Sequence, residues 1–111
     1  MSEDALKVLS ELTSDAHAQI QLHSDLNPVV EVRRGQRDGG MPADVMTIDC
    51  LQSRRRILLI LHDHEPGVLL HQFMTMDEDV GAELQRMPLS DLTVATLVGW
   101  MENHFTEQPP D

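Results

Sequence analysis

The sequence predicts a two-layer α+β domain, with an N-terminal helix, a four-stranded, mostly antiparallel sheet and a C-terminal helix. Three observations carry the prediction. Apolar residues recur at helical spacing near both ends of the chain; residues 45–50 alternate between apolar and polar; and two dense apolar runs of strand length, Ile57–Leu61 and Val68–Met74, flank the polar segment His62-Asp63-His64-Glu65-Pro66-Gly67. A chain of 111 residues suits one domain over 1–111, long enough to bury a single core.

The first helix is expected from Glu3 to His23. Ala5, Val8, Leu9, Leu12, Ala16, Ile20 and His23 recur at spacings of three and four and share a face, and Ser2 stands at the N-cap position with Glu3 and Asp4 complementing the helix dipole. Asn27-Pro28 ends it, because proline pushes the preceding residue toward extended geometry. Val29–Arg33 reads as a short strand with Val30 and Val32 on one side. Residues 35–42, rich in glycine, read as a flexible loop whose glycines have neither Walker nor Rossmann spacing. From Val45 to Cys50 the alternation sets Met46, Ile48 and Cys50 on one face, and Val45, Thr47 and Asp49 on the other. From Thr75 to Pro88 the acids Asp77, Glu78 and Asp79 with Gly81 break any period, so a short irregular or helical segment is expected. A last helix runs from Ser90, its N-cap, to about Phe105, with Val94, Leu97, Val98, Met101 and Phe105 on one stripe; residues 106–111 form a frayed tail.

Loop length fixes which side chains meet in the central hairpin. An L-proline opposes the twist of a two-residue hairpin turn, so a four-residue loop, His64–Gly67, is expected, placing Leu61 opposite Leu70 and Ile60 opposite His71. One face then holds Ile57, Leu59, Leu61, Val68, Leu70 and Met74. The other holds Leu58, Ile60, Leu69 and Phe73, with His62 and His71 among them. A sheet apolar on both faces needs cover on both. Burying four large apolar side chains at ~1.5–3 kcal/mol each would drive association, so a homodimer or a protein partner on the second face is expected.

The net charge of −11 is unevenly distributed. Residues 1–28 hold one base and five acids, 29–61 six arginines and four acids, and 62–111 one base and ten acids. So acidic a chain repels phosphate backbones and anionic bilayers, which argues against nucleic acid and membrane as partners. Arg54, Arg55 and Arg56 suit either a solvated strand surface or a docking site for an acidic partner. No apolar run approaches the roughly 20 residues that span a bilayer, and a single cysteine agrees with a reducing compartment; the expected location is the cytoplasm.

His62, His64 and His71 are the one cluster of metal-ligand type, suited to zinc, although they match no familiar ligand spacing and a solvated polar turn is the reading the sequence favours. Cys50, in an alternating strand, reads as a buried and inert thiol, and Trp100 as either core-edge packing or a binding hot spot. No catalytic constellation stands out. The function expected is a non-enzymatic protein-binding module, an adaptor, regulator or small acidic chaperone, acting through Leu58, Ile60, Leu69 and Phe73 or through the arginines. The alternatives are a small metal-binding protein or metal-dependent enzyme built on His62, His64 and His71, and a small-ligand pocket between the last helix and the sheet.

Overall fold

A computed structural model describes residues 2–23, 26–33, 43–77 and 84–106. The predicted loop at 35–42, the acids Glu78 and Asp79 and most of the predicted tail lie outside the described residues. Helix α1 (Ser2–His23) leads into strands β1 (Val29–Arg33), β2 (Ala43–Cys50), β3 (Arg55–His62), β4 (Val68–Thr75) and β5 (Gln85–Pro88); a single 3₁₀ turn, Leu89–Asp91, precedes helix α2 (Val94–Thr106). The strands form one sheet in the order β1-β2-β3-β4-β5, each antiparallel to the next. The architecture is the expected two-layer α+β fold, with five strands and not four. No helix among the described residues is long and apolar enough to cross a membrane.

Both helices pack on the same face of the sheet and against each other. The core between the layers joins Leu9, Ala16 and Ile20 of α1 and Leu97, Met101 and Phe105 of α2 to Met46, Ile48, Ile57, Leu59, Leu61 and Leu69 of the sheet. These are the apolar stripes that the helical periodicity marks, together with the β2 face that the alternation marks. Thr13 enters this core without an unpaired hydroxyl: its Oγ1 donates to the Leu9 carbonyl at 2.8 Å and lies 3.4 Å from Met46 Sδ.

Three expectations need correction. The fifth strand falls where an irregular or helical segment was expected. Gln85–Pro88 is too short to show a period, and it exists because β4 offers a free edge and Met87 opposite Leu69 can pack against the core. Second, α2 starts at Val94 and not at Ser90. Thr93 caps it, receiving the Thr96 N–H on its Oγ1 at 3.1 Å, while Ser90 lies inside the 3₁₀ turn.

The third correction is the hairpin register. The loop has five residues, Asp63–Gly67: the Glu65 N–H donates to the His62 carbonyl (3.0 Å), the Val68 N–H to the Glu65 carbonyl (3.2 Å), and Gly67 takes the left-handed φ of 78° that closes the turn. One residue more in the loop shifts the pairing by one and turns every β4 side chain to the other face. Leu59 therefore faces His71 and Ile60 faces Leu70. Leu69, His71 and Phe73 join Leu59 and Leu61 on the helix side, while Leu70 and Met74 join Leu58 and Ile60 on the opposite side.

Candidate functional site

The two edges of the sheet are built differently. β5 has four residues, one of them a proline with no N–H to offer, and Arg86 exposed on it is paired with Glu65 at 2.8 Å. That pair holds the Glu65 carboxyl below its ordinary range. β1 has five residues, VVEVR, every one of them exposed and none a proline. Val29, Val30 and Val32 are 46%, 37% and 39% exposed, high for β-branched side chains on a strand. A strand of this kind presents a row of backbone donors and acceptors to any chain that can pair with it.

Register shows where these side chains point. Val30 is opposite Ile48 and Val32 opposite Met46, so both lie on the helix side, with Glu31 opposite Thr47 on the other. A cleft of about 310 Å³ opens on the helix side between α1 and the β1 edge. Ser10, Ser14 and His17 of α1 form one wall, Val30 and Val32 the other, and Thr13 and Met46 the base. The wall is held open by geometry at the end of α1: His17 Nε2–H donates to the Pro28 carbonyl at 2.7 Å, and Gln21 Nε2 to Asn27 Oδ1 at 2.8 Å, fixing the distance at which the chain turns back into β1. An edge strand flanked by a helix, with a groove between, is the arrangement that accepts an added strand whose alternate side chains enter the groove.

The residues singled out from sequence lie elsewhere, and register explains why. His62 at the end of β3 and His64 in the loop that follows come together, ring centroids 5.2 Å apart, with the His64 N–H donating to His62 Nδ1 at 3.2 Å. His71 is on the opposite face of the sheet, buried and stacked on Trp100 at 4.7 Å. Among the described residues no group of three or more His, Cys, Asp or Glu side chains stands close enough to hold a metal ion. Leu58, Ile60, Leu69 and Phe73 do not share a surface: Leu58 and Ile60 are on one face, Leu69 and Phe73 on the other, Leu58 and Leu69 are buried, and Phe73 alone is exposed. The register expected for the hairpin placed all four together, and the fifth loop residue separates them. Cys50 is buried, as expected.

Arg54, Arg55 and Arg56 do not form one docking surface either. Arg54 closes the β2–β3 turn at a left-handed φ of 57° and pairs with Asp77 at 2.9 Å. Arg55 donates to the His104 carbonyl at the end of α2 (3.1 Å), and Arg56 forms a two-bonded pair with Asp49 across the sheet at 2.7 and 2.9 Å. Consecutive strand residues point to opposite faces, so Arg55 and Arg56 must part.

Phe73, Trp100, Asn103 and His104 line a hollow of about 300 Å³ between α2 and the sheet. Its rings are mutually engaged: Phe73 meets Trp100 edge to face at 5.4 Å and His104 at 5.3 Å. His104 Nε2–H donates to the carbonyls of Arg56 (3.0 Å) and Met74 (2.9 Å), which ties α2 to β3 and β4. This cluster reads as the seam between the layers. His71 belongs to the same seam, its Nδ1 buried without a hydrogen-bond partner among the described residues.

Burial lowers the His71 pKa from 6.5, against a smaller opposite effect of its hydrogen bond with Gln85, so the folded chain prefers the neutral ring. The unfolded chain takes up the proton more readily, so this residue leaves stability unchanged above 6.5 and reduces it as pH falls below 6.5 toward the lower folded value. Urea unfolding at about pH 7.5 and about pH 5.5 is expected to show a fall in stability at the lower pH that is smaller in His71→Gln. Equal falls in the two proteins, or an NMR titration of His71 centred at or above 6.5, would contradict this assignment.

The chain matches no family model, no curated protein and no solved structure.

Proposed function

We propose that this chain is a non-enzymatic protein-binding module that takes an extended segment of another polypeptide as an added strand along β1. The observation that carries the reading is the contrast between the edges: β5 has four residues and is closed by Pro88, whereas β1 has five, every one exposed and none a proline, and is valine-rich beside the α1 cleft. Main-chain hydrogen bonds along the edge would supply affinity, and alternate side chains of the guest, entering the cleft beside Val30 and Val32, would supply selectivity. An adaptor or a small acidic chaperone could work in this way, and the single buried cysteine suits the reducing cytoplasm.

Val32→Lys is the direct test. Val32 is 39% exposed, so the change spares the core, yet a lysine on an edge strand blocks strand addition. Proteins captured from native extract by the wild type are expected to be lost with Val32→Lys and retained with Arg86→Gln on the opposite edge. Bound protein is expected to slow amide exchange in Val29–Arg33. Equal capture by Val32→Lys and wild type, with no protection of β1, would refute the reading.

A further inference from the structure

We infer that the strand added to β1 is β1 of a second copy of this chain, in an antiparallel register centred on Val32. The inference rests on strand addition at β1 and names its partner. A two-fold axis normal to the sheet is the one that continues an antiparallel sheet across identical edges, and it keeps both helix layers on the same side. Residues facing each other across such an axis must share a face, so Glu31 can be opposed by residue 29, 31 or 33 of the other copy but not by 30 or 32.

Charge selects among the three. Centring on Glu31 sets two carboxylates against each other, which is unfavourable for a directly opposed pair. Centring on Val30 places Val29 against Glu31 and leaves Arg33 without an opposite charge. Centring on Val32 places Glu31 opposite Arg33 of the other copy twice, with Val32 against Val32 between them. Within one chain Glu31 and Arg33 already meet at 3.2 Å on the face away from the helices, both about half exposed. Pairing about Val32 joins two exposed surface pairs into a ring of four alternating charges, and charge networks contribute where single exposed pairs do little. The apolar side agrees. A guest strand centred here must present an apolar side chain to Val32, an acid opposite Arg33 and a base opposite Glu31, and Val32, Glu31 and Arg33 of a second copy present these.

Cysteine cross-linking reads the register. Val32→Cys puts two thiols on directly opposed residues, within the Cα separation of about 4.4–6.8 Å that a disulfide accepts. Val30→Cys leaves its two copies four residues apart along the strands, about 13 Å, which is out of reach. Mild oxidation is expected to convert Val32→Cys to a covalent dimer and to leave Val30→Cys and the wild type, whose Cys50 is buried, as single chains.

Light scattering on the full chain is expected to give twice the chain mass of 12.5 kDa at high micromolar concentration. Arg33→Glu, which faces acid with acid, is expected to weaken the dimer about tenfold or more, and the exchanged Glu31→Arg/Arg33→Glu protein to regain it, because every opposed pair is again of unlike charge. Cross-linking of Val30→Cys in place of Val32→Cys overturns the register. A single-chain mass at every concentration overturns the second copy as guest. If Val32→Lys still loses captured proteins in that case, strand addition at β1 stands with a different partner; if it loses none, both readings fall together.

Discussion

Leu59→Ala is expected to lower the free energy of unfolding by about 2–5 kcal/mol, measured as a shift of the urea midpoint at unchanged slope. Leu59 is fully buried on β3, the middle strand of the sheet, with Met46 of β2 opposite it on one side and His71 of β4 on the other. Both helices close over the face it lies on, so the vacated volume is walled by elements fixed at several other points and can collapse little. A domain of this size has about 5–15 kcal/mol to lose, so the variant should fall near the edge of stability. Ile60→Ala is the control. One residue along the same strand, it points to the opposite face and is only half buried, so its loss should be clearly smaller. Equal losses at the two positions would mean that the layer facing the helices is not the principal core.

The comparison between Leu59 and Ile60 also shows how much of the fold is legible in the sequence. The helices are legible because their stripes repeat over several turns, so no single residue decides the outcome; the β2 faces are legible because polar residues interrupt the apolar ones. In Ile57–Leu61 and Val68–Leu70 no polar residue marks a face, and the pairing rests on whether the connecting loop has four residues or five. Each candidate surface inherits that uncertainty. Leu69 and Phe73 change sides with the register, and His71 moves away from His62 and His64 with them. The start of α2 is ambiguous for a similar reason: Ser90 and Thr93 are both capping residues three apart, and the chain uses Ser90 in the 3₁₀ turn and Thr93 at the helix.

β1 was legible as a strand with Val30 and Val32 on one side. Its place at the edge was not, since strand order follows from pairing across the whole sheet. The signal available in sequence was the proline in β5, which marks one edge as closed, but β5 itself was too short to be recognised.

Asp49→Ala is expected to cost about 1.5–3 kcal/mol, more than removal of any other charge among the described ion pairs. Asp49 and Arg56 stand directly opposite on β2 and β3 and are joined by two hydrogen bonds, their side chains 10% and 20% exposed. The pairs of Arg54 with Asp77 and Arg33 with Glu31 have half or more of each side chain in water and should contribute ~0–1 kcal/mol.

The asymmetry arises from what is left behind. Without Asp49, the Arg56 guanidinium keeps its charge and loses the carboxylate that received two of its donors, in a position where little water can reach it. With Asp49 present, its hydrogen bond raises the Arg56 pKa, outweighing the opposing effect of burial. Without it that support is gone, yet an arginine's ordinary pKa lies so far above neutral that the guanidinium still cannot escape by releasing its proton. Removing the charge as well should relieve the penalty. Asp49→Ala/Arg56→Met is therefore expected to be more stable than Asp49→Ala alone, and a double-mutant cycle across the four proteins gives the coupling directly. The loss from Asp49→Ala should also change little with added salt, because a mostly buried pair is weakly screened. A double mutant whose loss is the sum of the two single losses would show that the bridge adds nothing beyond packing, and would remove the electrostatic account of how β2 is held to β3 at the end of the sheet where Arg55 also grips α2.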